Sequence, residues 1–452
     1  MIACATHLEE NRVTVRCSAR PAKRSLDTCW VGREIQFDAD ALRAFGLREW
    51  DPAIYDCLLL AAAVEYADRS IRRRTHQRER QFALSLPVSE PLRWRDPRVK
   101  QAAEAALRIC TGDRWCLSFR KARRRPPPTE PPLQWRQRFD AAMPFSDGLD
   151  SLAASALAAR SENQKMLLVR LGGPTVKGAA PAAFDRVPYA VSASGKDFRE
   201  SSARSRGFKY AVISGIAASL TGAPEVVMPE SGQGTLGLVL AASGQELIDR
   251  RTHPMFTALI SRFLSVLFNA EVSFSHPKLW ETKGEVLTEY REGQGDDSAL
   301  RRTRSCWQSQ RQAYLNGKRV QCGICAACLL RRTSLHAAGL AEDAGTYLFE
   351  DLSARRIEEV VPEHVRQRRD FKSLLDYADA GIAYMRDIAG FAESPFRDVV
   401  LDEEAGHLKE CGLGSEREIR ERVVRLTEQH RGEWRSFVKQ YPQSSYVRIG
   451  AF

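Results

Sequence analysis

"FDAAMPFSDGLDSLAASALAAR", residues 139–160, decides how this chain is read. The apolar run "FDAAMPF" predicts a strand and "LDSLAASALAAR" a helix, with "SDG" (146–148) between them. A turn that short places main-chain N–H groups, of the loop and of the first helical turn, at a strand's carboxyl end. There they and the helix dipole favour an anion, and a nucleotide's phosphates are the expected one. The Gly-Lys-Ser/Thr of an ordinary P-loop is missing from this turn.

Downstream, apolar runs alternate with helical stretches: "KMLLVRL" (165–171), "GFKYAVISGIAASLTGA" (207–223), "EVVMPE" (225–230) and "PMFTALISRFLSVLFNA" (254–270). That alternation predicts an α/β fold, a parallel sheet with helices on both faces, whose ligands bind at the carboxyl ends of the strands. Upstream, "ENRVTVRC" (10–17), "RQFALSLPV" (80–88) and "WCLSFRK" (115–121) read as strands. Asp51-Pro52 and Asp96-Pro97 open two helices, because Asp caps an N-terminus and Pro tolerates the first turn. This N-terminal part is expected to be α+β. The proline-rich "KARRRPPPTEPPLQW" (121–135) reads as a linker. Three regions follow: a basic α+β domain (1–130), the nucleotide-type domain (131–340), and a charged helical region (341–452) that shows no chemical motif.

Composition narrows the function classes. With 452 residues the chain exceeds what one core usually organises. It is 43% hydrophobic and 28% charged, and it holds no apolar run near the roughly 20 residues of a membrane helix. The start "MIACATHLEENRV" lacks a basic segment followed by an apolar one, so a cytoplasmic location without membrane partners is expected. The net charge is +11, and residues 1–140 hold 27 lysines and arginines against 18 acids. Such a surplus attracts polyanions, although its commoner meaning is a solvated surface.

Eleven cysteines in a reducing compartment suggest thiols or metal ligands rather than disulfides. Cys306, Cys322, Cys325 and Cys328, spaced C-x15-C-x2-C-x2-C, suit one tetrahedral Zn²⁺, with an iron–sulfur cluster as the lesser alternative. Gly323 permits the tight turn between ligands. With no ligand position open, the site is expected to be structural, a staple at the edge of the sheet domain. A contact of the knuckle and "RRTSLH" (331–336) with nucleic acid is not favoured, for want of a base-stacking aromatic beside it. His253, His276 and His336 have no spacing that names a role and are read as structural.

The turn at 146–151 resembles the Ser-Gly-Gly-x-Asp-Ser loop of the PP-loop ATP pyrophosphatases, enzymes that cut ATP between its α and β phosphates. The resemblance implies that Ser146, Gly148 and Ser151 hold the pyrophosphate end of ATP, with the main chain of Asp147 and Leu149 in the same cradle. It also implies that Asp150 serves Mg²⁺ or fixes the turn. Asp147 stands where the family has glycine: Asp tolerates left-handed backbone angles, yet its carboxylate repels phosphate. Together with "TRSCWQS" (303–309) and "CGICAACLLR" (322–331), this loop resembles the 7-cyano-7-deazaguanine synthase (QueC) family.

In that resemblance Thr303, Ser305 and Cys306 form one zinc turn, and Cys322, Gly323, Cys325, Cys328 and Arg331 the knuckle. Arg204 and Arg206 lead a helix that contacts phosphate or substrate. Glu230, in "MPESGQGTLG" (228–237), faces the site as a general base or as an ordinary loop acid, and Thr282, Lys283 and Glu285 match a Thr-Lys-x-Glu segment. The resemblance covers roughly residues 138–340. In size and added regions the chain is similar to QueC-like proteins of bacterial anti-phage defence operons.

It implies an enzyme using ATP, Mg²⁺ and Zn²⁺ on 7-carboxy-7-deazaguanine, with ammonia or the amine of an operon-encoded partner as acceptor. A homodimer and a heterocomplex both stay open. So do two other functions: a scaffold whose nucleotide loop has lapsed at Asp147, and a PP-loop enzyme acting on tRNA.

Overall fold

The structure is a computed structural model. It describes residues 10–17, 27–39, 42, 50–73, 79–122, 139–146, 148–161, 164–172, 187–195, 197–200, 204–240, 249–294, 297–308, 313–315 and 317–451. Most of the expected linker, and Asp147, lie outside them.

From the N-terminus, β1 (Glu10–Arg16), β2 (Thr28–Trp30) and β3 (Ile35–Phe37) precede α1 (Pro52–Ser70), β4 (Gln81–Val88), α2 (Pro91–Arg95), α3 (Pro97–Thr111) and β5 (Arg114–Lys121). The opening segment folds as β6 (Ala141–Pro144) and α4 (Leu149–Ser161), followed by β7 (Met166–Val169), β8 (Leu171–Gly172) and β9 (Val187–Val191). Next come α5 (Arg206–Thr221), β10 (Glu225–Val227), α6 (Gly232–Leu240), α7 (Pro254–Phe268), β11 (Ser273–Ser275), α8 (Lys283–Gln294) and α9 (Ser298–Arg301). The antiparallel pair β12 (Tyr314–Leu315) and β13 (Lys318–Arg319) precedes α10 (Ala326–Ala337). The remainder is helical: α11 (Glu363–Arg366), α12 (Phe371–Ala389), α13 (Arg397–Glu410), α14 (Glu416–Lys439) and α15 (Tyr446–Gly450).

These elements fall into two compact units. The first joins Met1–Ser146, Glu162–Met228 and Gln245–His276, and the second joins Asp147–Ser161, Pro229–Gly244 and Pro277–Phe452.

In the first unit, β2-β1-β4-β5 form one parallel sheet and β11-β10-β6-β7 another. The α+β expectation for the N-terminal third is thereby corrected to α/β. Its two Asp-Pro helices are crossovers, α1 leading into β4, and α2 with α3 linking β4 to its parallel neighbour β5. Both caps form as read: Asp51 Oδ1 accepts from Ala53 N at 2.8 Å and Asp96 Oδ1 from Arg98 N at 2.9 Å.

Helix α1 buries 16 of its 19 residues, as a helix apolar nearly all round must. Its three buried acids are all partnered. Asp56 accepts from Ser89 N at 2.8 Å, Glu65 from Lys209 Nζ at 2.8 Å, and Asp68 from Arg80 Nη2 at 2.5 Å. Arg80, itself buried, also bonds Asp113 at 2.7 Å, and Arg73 reaches the same carboxylate at 2.8 Å. Part of the N-terminal surplus of arginine is therefore internal wiring and not a polyanion-binding surface.

The order β11-β10-β6-β7 places the switch in strand order between β6 and β10. The loop carrying Ser146 leaves β6, and the loop carrying Glu230 leaves β10, at the carboxyl ends of these parallel neighbours. In the second unit, α4 packs on α8 and α9, α8 on α10, and α10 on α12 and α14, while α6 touches α8, α12 and α14. Among the described residues no helix is long and apolar enough to cross a membrane.

Candidate active site and metal centre

Helix α4 begins directly after Gly148, and its first turn carries Leu149, Asp150 and Ser151 of the predicted phosphate loop, while Ser146 and Gly148 precede it. Ser151, 2% exposed, turns its hydroxyl onto Gly148 O at 3.2 Å, and Leu152 N bonds the same carbonyl at 3.1 Å. Leu149 is buried in a small core with Val286 and Leu287, the apolar contact that seats α4 on α8. That seating brings Asp150 to Lys283: Oδ2 lies 2.7 Å from Nζ, with the lysine side chain 9% exposed. Asp150 Oδ1 is buried and has no hydrogen-bond partner among the described residues.

The Thr-Lys-x-Glu segment is the start of α8. Thr282 Oγ1 accepts from Glu285 N at 3.1 Å while Glu285 Oε2 accepts from Thr282 N at 2.8 Å, the reciprocal pair of a capping box. Arg425 of α14 holds the Glu285 carboxylate from the other side. Lys283 is fixed at its backbone too, because its N–H donates to Gln233 Oε1 at 2.6 Å. Gln233 Nε2 in turn faces His430 Nδ1 at 2.9 Å, and His430 Nε2 faces Met385 O at 3.0 Å. The Met385 carbonyl can only accept, so Nε2 carries the proton and Nδ1 accepts from Gln233. Burial pushes His430 down to about 4, which keeps it neutral.

Glu433 of α14 closes the arrangement, with Oε1 2.5 Å from Thr282 Oγ1 and 3.2 Å from Gln429 Nε2. A Cβ at residue 284 would stand 2.6 Å from that oxygen, so Gly284 is needed for the carboxyl to approach. Burial pushes Glu433 up to about 7, against the hydrogen bonds from Thr282 and Gln429 that pull it down, and the Glu285 charge adds to the rise. Between its ordinary 4.5 and about 7, only the folded state keeps this proton, so stability falls as pH rises through that window. Glu433→Gln retains an acceptor for Thr282 and loses the titration. In urea unfolding across this pH range, its stability relative to the parent is expected to climb with pH and level off above 7. A constant difference would contradict it.

The second centre is the cysteine cluster. The sulfurs of Cys306, Cys322, Cys325 and Cys328 all lie within 4.8 Å of one another, and those of Cys322 and Cys328 are 3.8 Å apart. A tetrahedron with ligands at roughly 2.3 Å has edges of about 3.8 Å, so the four fit a metal such as zinc. Main-chain N–H groups point at the sulfurs, Cys322 N at Cys306 (3.2 Å) and Cys325 N at Cys322 (3.4 Å). Hydrogen bonds from Cys322, Cys325 and Cys328 push the Cys306 thiol far below its ordinary value. Gly323 has φ +90°, and a Cβ there would meet Phe349 O at 2.7 Å.

Arg331, fully buried, bonds Thr303 Oγ1 at 2.7 Å and Glu342 at 2.7 Å, tying the two cysteine turns together. Gln321 Oε1 accepts from Ser305 N and Cys306 N at 2.8 and 3.2 Å. The cluster shares a core with Leu374 and Ile382 of α12 and Trp434 and Phe437 of α14.

Arg204 and Arg206 belong to the first unit; burial, then the Arg73 charge, lowers Arg204 from its ordinary value, while Arg206 is exposed over the Tyr210 ring. Glu230 is half-buried in the second unit. The histidines are structural as read: His253 caps α7 by accepting from Met255 N, His276 meets Thr257 Oγ1, and His336 meets Ser436 Oγ.

The structure adds residues that the sequence reading passed over. Gln233, Gln429, His430 and Glu433 support the Lys283 segment. The signal was faint but present, since His430 falls on the apolar stripe Ile419, Val423, Leu426, Phe437 of α14. A second addition concerns the cysteine centre, where Trp307 and Tyr314 are 54% and 49% exposed. Aromatics thus do stand beside the knuckle. No family model, curated protein or solved structure matches this chain.

Proposed function

We propose that this chain is a QueC-like, ATP-dependent enzyme of PP-loop architecture, of the QatC kind in bacterial anti-phage defence. It adenylates the carboxyl group of 7-carboxy-7-deazaguanine and transfers the acyl group to an amine, that of ammonia or of a partner protein. The contact between Lys283 Nζ and Asp150 Oδ2 at 2.7 Å carries the reading. Two motifs 133 residues apart, joined only by the resemblance, place their functional side chains together.

A carboxylate is a poor electrophile because its oxygen leaves badly. In the proposed reaction that oxygen attacks the α-phosphorus of ATP, pyrophosphate departs, the amine attacks the acyl-adenylate, and AMP leaves with the former carboxylate oxygen. Glu230 takes the proton that the amine sheds. In a second round the amide oxygen is adenylated and departs as AMP, leaving the nitrile.

The protein's task is to hold anions against one another. The α4 N-terminus supplies oriented N–H groups, and Lys283 supplies a cation fixed by Asp150 and Gln233. The open oxygen of Asp150 fits a divalent cation, and Mg²⁺ there would screen phosphate charge. The four cysteines leave no open ligand position, so zinc would be structural.

The test is incubation with ATP, Mg²⁺, 7-carboxy-7-deazaguanine and ammonium, with mass spectrometry of the products. AMP together with an amide or nitrile is expected. No AMP, with ammonium or with the partner protein as acceptor, overturns the reading.

A further inference from the structure

The chain is free of acidic residues from Ser298 to Ala341, a stretch with eight arginines and lysines. Several of these cations are consumed internally. Arg331 is buried on Glu342 and Thr303, Arg332 reaches the Phe349 and Glu350 carbonyls, Arg301 pairs with Asp343, and Arg304 donates to Val320 O at 2.7 Å. Arg302, Lys318 and Arg319 are exposed and form no ion pair with any described residue. Partial burial, and then the like charge of Arg304, lowers Arg319 from its ordinary value. Among the described residues this positive surface has no counter-charge.

Two exposed aromatic side chains stand on the two segments that the Arg304–Val320 and Cys322–Cys306 hydrogen bonds join. Trp307 directly follows Cys306, whose turn is pinned by Gln321, so its position is set by the metal centre. Tyr314 lies directly opposite Arg319 across the β12–β13 pair, which puts both side chains on one face of that ribbon. Exposed rings beside cations that pair with no described acid match the two needs of a nucleic-acid strand, stacking for its bases and counter-charge for its phosphates.

We propose that this face binds single-stranded nucleic acid, with Trp307 and Tyr314 stacking on bases and Arg302 and Arg319 meeting phosphates. An acidic peptide would satisfy the cations but leave the rings unused. The surface does not depend on the adenylation reading, and neither aromatic belongs to the site around Lys283.

The test is fluorescence anisotropy of the full chain with labelled oligouridylate, oligothymidylate and duplex DNA, from about 50 to 200 mM salt. Either single strand is expected to bind, and more tightly than duplex. Trp307→Ala is expected to weaken binding by about 10-fold or more, as loss of one stacking platform does. Arg302→Gln with Arg319→Gln should flatten the slope of log affinity against log salt by about 1.4, roughly 0.7 per phosphate contact on a single strand. Zinc content and the thermal transition, unchanged in these surface variants, show that the fold is kept. The proposal is overturned if neither strand binds, if Trp307→Ala binds as the parent does, or if duplex or polyglutamate competes equally well.

Discussion

Lys283→Met is expected to lower AMP release at saturating ATP by about 10²–10³-fold, the usual loss when one oriented charge is removed from a developing anion. The substitution keeps the unbranched stem that fills the space between α4 and α8. What it removes is the ammonium 2.7 Å from Asp150 Oδ2. The parent carboxylate is then left partly buried without its cation, and that alone destabilises the chain. Activity and stability are separated by a second variant. Lys283→Met combined with Asp150→Asn removes both charges; it is expected to recover thermal stability toward the parent and to remain inactive. Recovery of activity along with stability would show Lys283 to be a structural ion-pair partner only, and the proposed adenylation site would fail with it.

How much of this was legible follows from the range of each interaction. The Asp-Pro helix starts, the strand-turn-helix of β6 and α4, and the cysteine spacing are local patterns, and each folds as its residues imply. The N-terminal third reads as α+β and not α/β because the alternation in "RQFALSLPV" looks half-exposed. Beside β1 and β5, with α1 packed against it, β4 is mostly buried and parallel to both.

The supports of Lys283 were least legible. His430 and Glu433 lie more than 140 positions downstream on a helix with only amphipathic patterning, and nothing local distinguishes a polar residue that faces a buried lysine segment from one that faces water. Trp307 shows the converse. It was visible in the sequence directly after a ligand cysteine, but exposure is a tertiary property, and only the fold turns that ring outward.

Stripping metal from the cysteine centre is expected to unfold much of the second unit rather than one loop. Ligand spacing suits zinc, and binding free energy at such centres, about 10–16 kcal/mol in isolated zinc peptides, is folding free energy. In this chain Cys322, Cys325 and Cys328 are core residues shared with α12 and α14. Helix α14 in turn carries Glu433 and His430, which brace Thr282 and Gln233. Loss of even about 5 kcal/mol, at about 2–4 °C per kcal/mol for a domain of this size, lowers its melting temperature by 10–20 °C.

Cys328→Ser should reproduce the effect of a chelator, since it removes one of four thiolates in a site with no spare ligand. Cysteines elsewhere supply the control. Cys116 is exposed and outside the cluster, so Cys116→Ser is expected to leave both metal content and melting unchanged. The decisive readout is the coupling between centres. Cys328→Ser, assayed with Mg²⁺ in excess, is expected to abolish AMP release even though none of the four cysteines is near Asp150 in the chain, because the Lys283 segment is held by the helix that the metal centre holds. An unchanged melting temperature after complete metal removal would leave the cluster a surface clip, and would cut the inferred connection between metal and active site.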